Sequence, residues 1–371
     1  MAEKNLPLND SLKYPNSKLT FLGTGTSQGI PMIGCNCKVC KSSDHKDQRL
    51  RSSVFIEHLG FKLLIDCGPD FRQQMLRENI TELDAVLLTH QHKDHTGGLD
   101  DIRAFNYFRQ KRFESQAANA GNASAENANL GNRSLNSFAQ EVAFPIYAES
   151  IVQEGLKKEY HYAFEENKYP GVPDYKLITI SDKPFEITKA AENSDNIILK
   201  PENKIAQSGN KIAQSGKTTL QPENHIKKLE VIPIRVMHYK LPILGFRFGN
   251  LAYITDGSSI PESEFEKLKG LEVLVINTVR HTKHISHFSL PEALEIIRRV
   301  GAPRNYLTHL SHQLGTHEEL TEILETEFPN QPISTTEITE ITEITETTET
   351  TRATSNRQQV FAAYDGLVVE F

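Results

Sequence analysis

No stretch of this sequence approaches the roughly 18 consecutive apolar residues of a membrane-spanning helix. The segment Met1 to Asn16 carries Lys, Asp and Pro where a signal peptide has its apolar core. The chain is therefore expected to be soluble, unexported and cytoplasmic, with no membrane partner. Positive charge is short as well: 41 Lys and Arg against 48 Asp and Glu leave a formal net charge of -7, and neither end has a basic tail. Phosphate contacts want an electropositive face, so this balance argues against a general nucleic-acid binder. Cysteine is scarce, four in 371 residues, and three of them, Cys35, Cys37 and Cys40, fall within six residues. Thiols so close together cannot build a disulfide framework, and in a reducing compartment they read as metal ligands. Cys67 stands alone and reads as a small packed hydrophobe. Apolar residues make up 38% of the chain, enough for a core but low for one globule of this length. Part of the length is expected to lie outside that core.

Three segments differ in composition from the rest. Glu114 to Leu135 is rich in Ala, Asn, Ser and Gly; Ala190 to His225 repeats Lys-Ile-Ala-Gln-Ser-Gly at Lys204 and Lys211; Ser334 to Thr351 repeats Thr-Glu-Ile. Short repeats of this kind bury too little surface to offset chain entropy. They are expected as exposed or disordered insertions near 114–135, 190–225 and 334–351 within one domain spanning 17–371, behind an N-terminal tail of 1–16.

The remainder alternates short β-like runs with helical ones. Leu19 to Leu22, Lys62 to Ile65, Ala85 to Leu88, Val231 to Val236, Leu251 to Thr255, Leu271 to Ile276 and Asn305 to Leu307 read as strands, and polar chemistry follows several of them. One helix is clearly marked. Ser289 is its N-cap, Glu292 the capping-box partner, Leu294, Ile297 and Val300 its apolar face, and Gly301 with Pro303 its stop. Val360 to Tyr364 and Leu367 to Phe371 flank Asp365-Gly366, a hairpin signal.

Chemistry concentrates in Thr89-His90-Gln91-His92-Lys93-Asp94-His95-Thr96-Gly97-Gly98, which follows an apolar run and places four potential metal ligands within six residues. Imidazole suits zinc and its neighbours, and a carboxylate can hold a second, harder ion. Gly97 and Gly98 make room for the turn that such packing needs. The earlier Phe21-Leu22-Gly23-Thr24-Gly25-Thr26-Ser27-Gln28-Gly29 does not fit the spacing Gly-x-Gly-x-x-Gly, and no helix pattern follows it, so it reads as a tight strand-end turn.

The run His90 to His95 resembles the His-x-His-x-Asp-His signature of the metallo-β-lactamase superfamily, and the resemblance extends over most of the chain outside the three insertions. Leu64-Ile65-Asp66-Cys67-Gly68 is similar to the first motif, in which the Asp orients the metal loop by hydrogen bonds. His238 is similar to the third-motif histidine, Asp256 in Tyr253-Ile254-Thr255-Asp256-Gly257 to the bridging Asp of the fourth, and His309 to the last histidine. The resemblance implies an αββα sandwich, an α/β fold of two mixed sheets flanked by helices. It also implies one metal held by His90, His92 and His238, another by Asp94, His95 and His309, and Asp256 between them. Two ions about 3.5–4 Å apart can share a hydroxide and clamp a phosphoryl oxygen. Zinc and manganese both suit this donor set.

Two features narrow the branch. Cys35, Cys37 and Cys40 supply three ligands where a structural zinc wants four, and His312 in Thr308-His309-Leu310-Ser311-His312 is the candidate fourth. This arrangement resembles the phosphoribosyl 1,2-cyclic phosphate phosphodiesterases. His287, 22 residues before His309, matches a histidine that approaches the scissile phosphate in those enzymes and in the tRNA 3′-processing endonucleases. The charged imidazole there would neutralise developing charge or protonate the departing ribose oxygen. His284 would assist it or orient the loop, and His281 reads as solvated. The expected activity is hydrolysis of a small cyclic phosphate ester, with Asp94, Asp256 and His287 at the reacting atoms and a small-molecule phosphate ester as partner; a homodimer stays open. Two readings compete. A tRNA 3′-endonuclease would need a long arm between the third and fourth motifs, yet His238 and Asp256 lie only 18 residues apart. A non-catalytic zinc-binding accessory protein of pyrroloquinoline-quinone biosynthesis would share the Cys-x-Cys-x-x-Cys start, but its metal loop is usually degenerate.

Overall fold

A strand buried on both faces reads as a nearly continuous apolar run, and two strands with such runs, Leu63 to Ile65 and Val273 to Ile276, form the spine of this protein. In a computed structural model that describes residues 17–122, 143–169, 171–190, 226–329 and 358–371, Phe61–Ile65 is strand β3 of one sheet and Val273–Asn277 is β11 of the other. Leu63 and Ile65 face Val273 and Val275 across the space between the sheets, while Leu64 on one side and Leu274 and Ile276 on the other point outward into separate cores. The alternation within each run fills two layers at once.

The first sheet comprises β1 (Lys18–Gly23), β2 (Ser53–His58), β3, β4 (Ala85–Leu87), β5 (Phe144–Ala148), β6 (Tyr175–Thr179) and β14 (Val368–Glu370). Its order is β14-β1-β2-β3-β4-β5-β6, antiparallel up to β3 and parallel after it. The second comprises β7 (Phe185–Ala190), β8 (Ile226–His238), β9 (Leu241–Phe248), β10 (Leu251–Ile254), β11, β12 (Arg304–Thr308) and β13 (Gln359–Ala362), in the order β13-β12-β11-β10-β9-β8-β7. It too is antiparallel in one half and parallel in the other. Helices α1 (Phe71–Arg77), α2 (Lys93–Thr96), α3 (Arg103–Asn122) and α4 (Ser150–Glu159) go with the first sheet; α5 (Leu290–Val300) and α6 (His317–Glu327) go with the second. Phe71, Ile102 and Val152 pack on the outer face of the first sheet, and Leu294, Ile297 and Leu320 on that of the second. The layers are helix, sheet, sheet, helix, as the αββα expectation has it.

Helix α5 begins at Ser289 with a capping box to Glu292 and ends at Gly301, whose φ is 76°, so the sequence reading of its two ends holds. Two other readings do not. Helix α3 runs to Asn122, into the first compositionally odd segment; Ala117, Ala118 and Ala120 are strong helix formers. The tail 1–16 and the stretches 123–135, 191–225 and 334–351 lie outside the described residues. Nor do the last two strands form a hairpin. β13 pairs with β12 and β14 with β1, so the chain crosses from one sheet to the other at Asp365-Gly366. The Asp365 carboxylate accepts from the Thr24 amide (2.9 Å), the Thr24 hydroxyl (2.8 Å) and the Leu50 amide (2.8 Å), and it pairs with Arg77. Among the described residues no helix is long and apolar enough to cross a membrane.

Asp365→Ala strands these donors and takes one partner from Arg77, which keeps Glu78 and the Leu22 carbonyl. It should cost about 1–3 kcal/mol, read as a fall in the urea midpoint without a change in m. Burial pushes His58, which hydrogen-bonds Ser17 and stacks on Phe371, down to about 4. Below its ordinary value of 6.5 the unfolded chain takes a proton that the folded one refuses, so stability falls as pH drops from 6.5 towards 4. His58→Phe should flatten that part of the stability profile.

Candidate metal centre

Strand ends from both sheets converge at one edge, and the backbone there is forced. Asp66, Asp256 and His309, each one or two residues past a strand, adopt φ of 64°, 57° and 55°, the left-handed region that non-glycine residues enter only under constraint. After β4 the chain turns so that a Cβ on Gly98 would lie 2.1 Å from the Gly68 carbonyl oxygen, and one on Gly68 2.1 Å from that of Asp94. Glycine at these positions lets the loop carrying His90, His92, Asp94 and His95 press against Asp66 to Gly68. Cys67, fully buried, donates its amide to the His95 carbonyl at 2.7 Å.

The imidazoles are orientated by neighbours that occupy one nitrogen each. His95 donates Nδ1 to Asp66 Oδ2 at 2.7 Å, and Asp66 also accepts from the amide and hydroxyl of Thr89. His238 donates Nδ1 to the Asp256 carbonyl at 2.8 Å. His90 Nδ1 meets the Thr89 hydroxyl at 2.9 Å, and His309 Nδ1 the Ser52 hydroxyl at 3.1 Å. At His309 that same Nδ1 also lies 3.3 Å from Asp256 Oδ2; at His95 and His90 the other nitrogen faces the neighbouring donors. His95 Nε2 lies 3.2 Å from Asp94 Oδ2 and 3.1 Å from Asp256 Oδ2, and His90 Nε2 lies 3.0 Å from His92 Nδ1.

This crowding fits metal ions. Buried His95 Nε2 has no hydrogen-bond partner, yet two carboxylate oxygens aim at it. Donors around a tetrahedral ion with bonds of about 2.0–2.1 Å stand roughly 3.3 Å apart. His90, His95 and Asp256 form one group able to hold an ion, and Asp94, Asp256 and His309 another, with Asp256 common to both; His238 and His287 approach Asp256 as a third. His92 joins through its ring contacts with His90 (4.6 Å) and His238 (5.1 Å). Electrostatics agree with a cation site. Burial alone would raise the Asp256 carboxyl, but His309 and His95 hold it well below the usual range. Burial pushes His90 and His309 towards the neutral, metal-binding form.

His287 stands beside this group, its ring centroid 4.7 Å from that of His238 and 4.9 Å from that of His309, with Nδ1 buried and without a hydrogen-bond partner. Burial, reinforced by His309, pushes it down to about 3. His284 accepts from the Ser286 amide and orders the loop, and His281, exposed as expected, also bonds the Leu314 carbonyl. A cavity of about 310 Å³ opens here, bounded by Thr26, Ser27, Gln28, Arg280, His287 and Gln313 among others. The glycine-containing turn after β1 therefore reaches the site at Thr26 to Gly29.

The cysteines form a second group. His312 Nδ1 lies 3.3 Å, 3.4 Å and 3.6 Å from the sulfurs of Cys35, Cys37 and Cys40. A tetrahedral zinc with bonds of about 2.3 Å to sulfur and 2.05 Å to nitrogen separates those atoms by roughly 3.6 Å. The Cys40 amide, donating to Cys37 Sγ at 3.4 Å, holds the Cys37 thiol down to about 6, while burial pushes the Cys40 thiol up to about 11. Ser52, Thr89 and Thr255, which fix the donors, escaped the sequence reading, because isolated hydroxyl residues carry no spacing signal.

Among known proteins, residues 62–137 and 128–310 match the family profile described as the β-lactamase superfamily domain. A protein of Porphyromonas gingivalis called octanoyltransferase is 36% identical over 307 residues, 82% of this chain but 48% of that protein. The chain spans about half or less of the length of such curated relatives. Among solved structures, a diphosphatase of the PhnP family superposes with a TM-score of 0.63 at 29% identity, covering 96% of this chain and 98% of its own. Zinc-bound PqqB from Methylobacterium extorquens superposes with a TM-score of 0.56 at 15% identity over 95% of this chain and 100% of that one, a likeness of fold.

Elemental analysis should find up to three divalent ions per chain. Cys37→Ser and His312→Ala should each remove one ion, and leave the other two.

Proposed function

The chain belongs to the metallo-β-lactamase superfamily, whose members are generally metal-dependent hydrolases, and from that premise we propose that it is a phosphodiesterase acting on a small cyclic phosphate ester of the phosphoribosyl 1,2-cyclic phosphate kind. The observation that carries this reading is His287. It is an imidazole that holds no hydrogen bond at Nδ1 and stands between His238 and His309, with Asp256 close by. Two zinc or manganese ions held there would supply a water of lowered pKa and positive charge for the phosphoryl oxygens. His90, His92 and His238 would bind one, Asp94, His95 and His309 the other, with Asp256 shared.

The remaining work falls to the chain itself. Asp66 and Thr89 keep His95 in one tautomer, and the Asp256 carbonyl does the same for His238, so the donors need no reorganisation when substrate enters. His287 rests neutral; an arriving phosphate anion raises its proton affinity and makes it an acid for the departing sugar oxygen. The cavity of about 310 Å³ admits a sugar phosphate, and its Thr26, Ser27, Gln28 and Gln313 offer hydroxyls and amides to a polar substrate. A similar diphosphatase also works at a phosphoryl group. The octanoyltransferase name belongs to a protein of which this chain matches 48%, and this polar cavity does not resemble an acyl site. Against a tRNA endonuclease stands the short path from His238 to Asp256, which is β9 and β10 with tight turns. A cytoplasmic setting suits three thiolates.

Wild-type protein should hydrolyse bis(p-nitrophenyl) phosphate and a ribose 1,2-cyclic phosphate. His287→Ala should keep its metals and lose about 10²-fold or more in kcat, whereas Asp256→Ala should lose metal together with turnover. A wild-type protein that carries its metals and cleaves no diester would sink this reading, in favour of a zinc-binding accessory role.

A further inference from the structure

Two cavities share one wall. The cavity at the metal centre runs from His287 and His309 at one end to Met32, His312 and Gln313 at the other. A larger one, about 530 Å³, is lined in part by Cys37, His281, His312 and Gln313. His312 and Gln313 face both, so the group of three cysteines and His312 stands in the partition.

That partition is tied to the cysteine group from two sides. On one, the Met32 amide donates to Cys40 Sγ at 3.4 Å, at the end of the stretch whose Thr26 to Gly29 bounds the inner cavity. On the other, His312 Nδ1 sits within 3.6 Å of all three sulfurs. Only Leu310 and Ser311 separate it from His309 at the metal centre. Neither gives slack: Leu310 is buried and donates its amide to the Thr24 carbonyl at 2.8 Å, and the Ser311 hydroxyl donates to the Val279 carbonyl. His312 itself lines the cavity, so a displacement of its ring moves that wall.

We propose that Cys35, Cys37, Cys40 and His312 act as positioning residues for the substrate: with a metal bound they fix the far wall of the cavity and set KM, while touching no reacting atom. This rests on the phosphodiesterase reading above. It differs from a role in holding the fold together, which would leave the wall indifferent to what fills the cavity.

Cobalt in place of zinc gives a direct readout, because the sulfur-to-cobalt charge-transfer band arises only at the cysteine group. Saturating the cobalt-loaded full chain with ribose 5-phosphate should shift that band, with a midpoint equal to the inhibition constant of the same compound. In Cys40→Ser, two metals per chain should remain, KM for a ribose 1,2-cyclic phosphate should rise about tenfold or more, and kcat should stay within about threefold. A band that stays still at inhibiting ribose 5-phosphate overturns the proposal without need of any variant, as does a Cys40→Ser protein with unchanged KM. Either result leaves diester turnover by the wild type, and so the underlying reading, intact; loss of that turnover would fell the reading itself.

Discussion

The imidazole of His95 is the point on which both sheets close. Its Nδ1 is held by Asp66 at the end of β3, its Nε2 faces Asp256 at the end of β10, and none of the three side chains is more than 3% exposed. Burying carboxylates at such density costs far more than their hydrogen bonds return unless positive charge lies among them. The two sheets can therefore pack at this edge only if the ring and its surroundings are right. The left-handed backbone of Asp66, Asp256 and His309 is strain of the kind tolerated where surrounding structure over-determines a conformation. The apolar layer between the sheets, with Phe21, Phe246 and Tyr253, supplies that determination.

Much of this was legible in the sequence because its signals are local. β3, β4, β10, β11 and β12 read as short runs rich in apolar or β-branched residues, and the donor residues follow strand ends in the order that the superfamily resemblance requires. The capping box of α5 spans four residues and needs no tertiary information. The failures have the opposite character. Asp365-Gly366 looks like a hairpin turn, but what decides its path is the carboxylate reaching Thr24, 341 residues away in sequence. Ser52 meets His309 across 257 residues, and a lone hydroxyl leaves no pattern from which to infer that. β2, β5 and β6 escaped notice because Ser53–His58, Phe144–Ala148 and Tyr175–Thr179 carry polar residues or proline within short runs.

Proteins similar to this chain carry the names diphosphatase, PqqB and octanoyltransferase. The PqqB likeness is one of fold, and the octanoyltransferase name covers a protein of which this chain matches 48%, so neither carries an activity here. In this chain the cavity is bounded by loops 26–32, 279–287 and 309–313, each following a strand.

The crossing at Asp365 has a bearing on how the molecule is made. Strand β1 is synthesised early, yet the neighbour on its outer side, β14, ends at residue 370, and the buried Arg49 waits for the Ala363 carbonyl and for Asp365. Until 359–371 has docked, the first sheet presents an unfilled edge and Arg49 lacks the Ala363 carbonyl and Asp365. A chain in that condition is exposed to strand-mediated association, and both sheets depend on strands that lie within a dozen residues of each other, β13 and β14.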